Sequence, residues 1–198
     1  MLKAVIFDMD GTLLDSHDAW FGLNNQLLVK SGQKAITRDV FDKKYWGVPL
    51  EKEEMEALTN DEKSIEAFAR GKKIFDGSLL TLDKLKGNYK LALATSTPRV
   101  LVDVVLEHSD MIKYFDAIIA LEDIKNPKPA PDGILRACEL LKVKPSEAVY
   151  VGDLPIDVEA GKAAGTLTIA IKPTQGADFS IGSVKELPAL LEKLSTKK

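Results

Sequence analysis

A single cysteine, Cys138, occurs in the 198 residues, which excludes an intramolecular disulfide. Within "GILRACELL" that thiol reads as a small buried helix residue. No apolar run approaches the roughly 18 residues that a membrane-spanning helix needs. The opening "MLKAVIFDMD" puts acids where a signal peptide needs small residues. A cytoplasmic setting with no membrane partner is therefore expected. A basic excess is also missing: 27 Lys and Arg stand against 30 Asp and Glu, for a net charge of −3. That balance argues against a nucleic-acid surface, so an anionic ligand has to be held by local donors. Neither an internal repeat nor a low-complexity segment interrupts the chain.

What is present is an ordinary globular composition, 45% hydrophobic and 29% charged, in a chain long enough for one α/β core with an insertion. Five short apolar runs, "KAVIFD", "KLALAT", "DAIIA", "AVYVG" and "LTIAI", are nearly continuous in hydrophobicity. Such runs fit strands covered on both faces, hence a parallel sheet between helices. "PRVLVDVVLEHS", "PDGILRACELLKV" and "PIDVEAGKAAG" lie between them, each with proline near its start and helical spacing afterwards. Gly165 is placed to end the third of these helices. The rhythm predicts an α/β fold with a doubly wound parallel sheet.

From Ser16 to about Phe75 the rhythm stops and no convincing strand is found. "SHDAWFGLNNQLLVKSG" offers Ser16 as an N-cap, an apolar stripe through Trp20, Leu23 and Leu27, and Gly32 as a stop. "EKEEMEALTNDEKSIEAFARGKK" reads as two short amphipathic helices with a solvated acidic face. The expected organisation is a catalytic core of residues 1–15 and 76–198, with a small helical cap at 16–75 inserted after the first strand.

Ligands in open α/β sheets bind beyond the carboxyl ends of the strands. "IFDMDGT" puts Asp8 and Asp10 at such an end, "LATSTP" puts Thr95, Ser96 and Thr97 there, and "VYVGDLPID" adds Asp153 and Asp157. "NPKPAPD" supplies Lys128 from a loop. Side chains two apart on extended backbone point the same way, so Asp8 and Asp10 converge. With Asp153 nearby their repulsion calls for a hard divalent cation, and Mg2+ is the usual one where phosphate is handled. Thr95, Ser96 and Lys128 bring hydroxyl donors and a fixed positive charge, which suit a phosphoryl group.

These stretches resemble the four motifs of the haloacid dehalogenase superfamily of phosphotransferases. "DMDGT", Thr95 closing "LALAT", Lys128 of "KPAPD" and "GDLPID" occur in the family's order across nearly the whole chain. The resemblance implies that Asp8 is the nucleophile that becomes an aspartyl-phosphate and that Asp10 is the general acid and base. It also implies Mg2+ held by Asp8, the Asp10 backbone carbonyl and Asp153, with Asp157 supporting. Thr95, Ser96 and Lys128 would hold the phosphoryl group. An aspartate at position 10 falls on the phosphatase and phosphomutase side of the family. The expected activity is therefore hydrolysis of a small phosphorylated metabolite by a monomer or homodimer. A phosphomutase and a non-catalytic phosphate-binding module are the alternatives.

The cap region matches the small helical cap of one branch of that family. His17, Trp46, Gly47 and Lys52 are candidate substrate contacts, the last three from "YWGVPLEK". His108 near a helix end is expected to be structural.

Overall fold

The computed structural model describes residues 1–59 and 61–196. Residue 60, inside the expected pair of amphipathic helices, and residues 197 and 198, inside the expected core, lie outside the described residues. In chain order the elements begin with β1 (Ala4–Phe7), β2 (Leu14–Asp15), α1 (His17–Lys30), α2 (Arg38–Lys44), α3 (Lys52–Thr59), α4 (Glu62–Gly71) and β3 (Lys73–Ile74). They continue with α5 (Ser78–Lys86), β4 (Lys90–Ala94), α6 (Arg99–His108), β5 (Ala117–Ile119), α7 (Asp132–Leu141) and β6 (Ala148–Gly152). The chain closes with α8 (Pro155–Ala164), β7 (Leu167–Ile171), β8 (Phe179–Ile181) and α9 (Leu187–Thr196).

Six strands form one parallel sheet in the order β5-β4-β1-β6-β7-β8. The order reverses around β1, the doubly wound arrangement that the sequence rhythm predicts. Alternation sorts the side chains of β1 into two cores. Val5 and Phe7 join Leu91, Leu93, Val149 and Val151 against residues of α5, α6 and α9. Ala4 and Ile6 join Ala92, Ala94, Ala148 and Tyr150 against α7 and α8. The second face is rich in alanine, which lets α7 and α8 approach the sheet closely. Gly161 of α8 serves the same approach, since a Cβ there would stand 2.5 Å from Thr168 Cγ2. Gly165 ends α8 in the left-handed conformation, as its position in the sequence suggests.

All five expected strands are present, and β8 is an addition. Its three residues, "FSI", form an edge strand too short to carry a pattern of its own. The two-residue pair β2 and β3 is the other difference: it runs antiparallel and brackets α1 to α4. So the segment expected to lack strands contains Lys73–Ile74, whose pairing is made by a partner about sixty residues earlier. Ser16 stands at the N-cap of α1 but makes no side-chain capping bond. The bracketed helices share the first core, through Leu23, Leu27, Leu58, Ile65 and Phe68. Among the described residues no helix is long and apolar enough to cross a membrane.

Candidate functional site

Because every strand of the large sheet points the same way, β1, β4 and β6 end side by side. The turn after β1 carries Asp8 and Asp10, the turn after β4 carries Thr95 to Thr97, and β6 runs into Asp153. The loop between β5 and α7 brings Lys128 over this edge.

Asp8 is buried, and its Oδ1 accepts from Lys128 Nζ at 2.9 Å. Lys128 Nζ also donates to Asp157 Oδ1 at 2.7 Å, so one ammonium bridges two buried carboxylates. The other Asp157 oxygen accepts from the backbone N–H groups of Asp153 (3.1 Å) and Leu154 (2.9 Å), which ties the first turn of α8 to the end of β6. Tyr150 Oη lies 3.2 Å from both Asp157 Oδ1 and the Ala94 carbonyl oxygen. Asp153 has a weak contact at 3.5 Å from the Thr12 hydroxyl. Gly11 makes this packing possible: its φ is +78°, and a Cβ there would fall 2.2 Å from the Asp153 carboxylate.

Asp10 is gripped at both oxygens. Thr97 Oγ1 donates to Oδ2 at 2.6 Å, and Lys72 Nζ meets Oδ1 at 2.5 Å. Lys72 follows directly on α4, its side chain is 2% exposed, and its ammonium sits 4.4 Å from the Phe68 ring centre. In the sequence, Lys72 falls at the end of "EKEEMEALTNDEKSIEAFARGKK", the stretch read as two short amphipathic helices, and nothing local singles it out. Thr97 stands among the strand-end residues noted in the sequence, and only the fold gives it a partner. Thr95 Oγ1 is 3.1 Å from Thr97 Oγ1 and accepts from the Thr97 N–H. Ser96 Oγ is buried and has no hydrogen-bond partner among the described residues.

The charges follow from this geometry. Burial pushes the Asp8 carboxyl up to about 7, with Lys128 opposing and the Asp157 and Asp10 charges adding. Burial likewise lifts Asp153 to about 8, helped by Asp8 and Asp157. Burial alone would also raise Asp10, but the charge and hydrogen bond of Lys72, with the bond from Thr97, carry it below the ordinary carboxylate value. Burial lowers Lys72 against the pull of Asp10. Lys128 ends well above its ordinary value, because Asp157 and Asp8 outweigh burial.

One carboxylate oxygen each from Asp8, Asp153 and Asp157 lies within 4.8 Å of the others. An all-oxygen set of this kind fits a hard divalent cation. The balance of charge fits as well: with all four carboxyls ionised, two negative charges would exceed what the two ammonium groups compensate. Both oxygens of Asp157 already accept from protein donors, whereas Asp8 and Asp153 keep lone pairs for a ligand. Asp157 therefore suits a supporting place.

A carboxyl whose folded-state pKa exceeds its unfolded value carries a proton that the unfolded chain has released. In metal-free protein, stability should therefore decline as the pH rises from the ordinary 3.8 toward about 7 for Asp8 and about 8 for Asp153. Added Mg2+ should raise Tm more at pH 8 than at pH 5.5, as read by thermal unfolding after chelation. A metal-free Tm that climbs through this window would show that the two carboxyls are not held as stated.

A cleft of about 500 Å3, counting the part open to solvent, lies over the site. Asp8, Asp10, Thr95, Ser96, Thr97 and Lys128 line its inner end, and Trp46 and Gly47 line its outer wall. His17 sits behind that wall. Its ring is 4.9 Å from the Trp46 ring, and its nitrogens meet Asp42 at 2.8 Å and Arg38 at 3.0 Å. Lys52 is not brought to the cleft: its side chain is 84% exposed and reaches 3.9 Å from Glu56 along α3. Its position at the first turn of a surface helix points it away, which the sequence spacing could not reveal. Trp20, Tyr45, Leu154 and Ile156 line the cleft without having been expected there.

The family described as haloacid dehalogenase-like hydrolase matches residues 5–171. The phosphorylated carbohydrates phosphatase of Thermotoga maritima is 36% identical over 181 residues, covering 83% of this chain and 82% of that protein. Pyrophosphatase PpaX of Bacillus velezensis is 32% identical over 216 residues, covering 98% and 94%. A solved hydrolase of this superfamily, subfamily IA variant 1 from Geobacter sulfurreducens, superposes with a TM-score of 0.83 at 25% identity, over 96% of this chain and 100% of that one. With its four acids, its bridging lysine and a match across most of its length, the chain belongs to the haloacid dehalogenase-like hydrolase family.

Proposed function

We propose that this enzyme is a Mg2+-dependent phosphatase that hydrolyses a small phosphorylated metabolite through an aspartyl-phosphate on Asp8. The observation that carries the reading is the inner end of the cleft. There Asp8 is held by Lys128, Asp10 is held separately by Lys72 and Thr97, and the unpartnered Ser96 hydroxyl lies beside them. A carboxylate nucleophile divides ester hydrolysis into two displacements, each easier than direct attack by water.

In the first displacement Asp8 forms a bond to phosphorus as the bond to the ester oxygen breaks, and Asp10 gives that oxygen a proton. In the second, water attacks the aspartyl-phosphate while Asp10 takes the proton back. Lys72 and Thr97 hold Asp10 as the carboxylate in the resting protein, so the proton it donates must be gained in the substrate complex. Ser96, Thr95 and Lys128 orient the phosphoryl oxygens and offset their charge, where most of the catalysis of phosphoryl transfer lies. Asp8, Asp153 and the Asp10 carbonyl would hold Mg2+, with Asp157 supporting, and the ion would supply charge neutralisation at the phosphoryl group. Residues 16–75 act as a cap that shields the reaction from bulk water and restricts entry to small substrates.

Phosphate release from p-nitrophenyl phosphate should require Mg2+, stop in excess EDTA and return when Mg2+ is restored. Ca2+ should not replace it, because its larger coordination number would engage the Asp8 oxygens needed for attack. Full activity in EDTA would overturn the metal-dependent reading.

A further inference from the structure

The outer part of the cleft differs sharply from its inner end. Trp20, Tyr45, Trp46 and Val48 approach from the helical segment, and Leu154 and Ile156 face them from the core. None of these side chains is charged. Lys128 is the one cationic residue lining the cleft among the described residues, and it is already committed to Asp8 and Asp157. Lys72 does not line the cleft, and its ammonium is committed to Asp10. No cation of the helical segment lines the cleft among the described residues, and Arg38 and Lys43 pair with Asp18 at 2.6 Å and Asp39 at 2.7 Å.

The wall is also built to stay in place. Trp46 packs on His17, which is itself held between Asp42 and Arg38, and lies 6.1 Å from the Phe41 ring. Gly47, with φ +78°, lets the turn close on the core: a Cβ there would stand 2.6 Å from Leu154 Cδ1. The aromatic face is thus seated directly across from Leu154.

We infer that the substrate is a phosphate monoester of an uncharged, ring-bearing alcohol, and that substrates with a second anionic group are rejected. The inference rests on the phosphatase reading above and specifies the substrate class of that same site. A flat aromatic wall offers contact area to a ring, and the indole and phenol groups can serve neutral hydroxyls. A second phosphate or a carboxylate in the leaving group would lose its hydration against Val48, Leu154 and Ile156 with no cation to receive it. The same reasoning argues against a phosphomutase, which must seat a second phosphoryl group in this region.

The test is a ranking by kcat/KM with Mg2+ present. The neutral set is p-nitrophenyl phosphate and hexose monophosphates; the charged set is pyrophosphate, a hexose bisphosphate and phosphoglycolate. The best neutral ester should exceed every charged substrate by about a hundredfold. Trp46→Ala should raise KM for the ring-bearing esters by about tenfold, with Trp46→Phe recovering most of the loss. Val48 is 56% exposed, so Val48→Arg should fold, and it should raise the charged-to-neutral ratio about tenfold by adding the missing cation. A charged substrate that equals or outranks the neutral esters would overturn the inference, as would a Val48→Arg variant with an unchanged ratio. Failure to release phosphate from any ester, p-nitrophenyl phosphate included, would instead overturn the phosphatase reading beneath it.

Discussion

Asp8→Asn should abolish turnover, whereas Asp10→Asn should yield an enzyme that is phosphorylated and then stalls. The amide at position 8 is not a competent nucleophile, and the variant also surrenders an anionic partner of Lys128 and a candidate metal ligand. A fall on the order of 10⁴-fold or more is expected when the nucleophile of a covalent mechanism is removed. Asp10→Asn keeps Asp8 and the backbone carbonyl at position 10 but loses the acid and base, an effect worth roughly 10²–10⁴-fold. With p-nitrophenyl phosphate the leaving group needs little protonation, so the first displacement survives and the second, which needs activated water, does not. Intact mass after quenching should show one added phosphoryl group in Asp10→Asn and none in Asp8→Asn. Peptide mapping should place the group on Asp8. Labelling at another residue, or equal labelling of both variants, would overturn the assignment. Lys72 adds a control. Asp10→Asn leaves its ammonium buried without a carboxylate, and breaking a buried pair in this way costs about 3–5 kcal/mol. Asp10→Asn combined with Lys72→Met should recover part of that stability without restoring turnover.

Lys128→Met should be nearly as damaging, for a different reason. The ammonium bridges Asp8 and Asp157, both buried, at 2.9 and 2.7 Å. Its removal leaves two neighbouring carboxylates without their cation and deprives the phosphoryl oxygens of theirs. Loss of one preorganised electrostatic contact lowers kcat by roughly 10²–10³-fold, and unpairing the buried carboxylates adds a stability cost of about 3–5 kcal/mol. The cost has a definite pH dependence. Without Lys128 the Asp8 carboxyl titrates higher still in the folded protein, so its protonation at low pH relieves the repulsion. The Tm deficit relative to the parent should therefore be larger at pH 8 than at pH 5. Lys128→Arg keeps the charge, but a planar guanidinium cannot sit between the two Oδ1 atoms as a compact ammonium does. It should recover more stability than activity. Lys128→Met with parental Tm at both pH values and more than about a tenth of parental turnover would sink the bridging role.

The sequence alone determined whatever depends on backbone period. Continuous apolar runs marked β1, β4, β5, β6 and β7, since a strand covered on both faces has no polar side to show. Asp8 and Asp10, two apart where a strand ends, declared their convergence, and Thr95, Lys128 and Asp153 stood at equivalent ends or loops. Tertiary structure alone decided which side chain meets which. Lys72 and Asp10 are 62 positions apart, and the lysine differs from its exposed neighbour Lys73 only because Phe68 and the end of α4 bury it. Tyr150 reads as a core residue of β6, yet its hydroxyl reaches Asp157. Trp46 of the segment between β2 and β3 and Leu154 at the start of α8 become opposite walls of one cleft, while Lys52, six positions beyond Trp46, turns to solvent. Local patterning fixes where a side chain leaves the backbone. The partner it finds, and so its charge state, depends on which distant segment closes over it and removes the water.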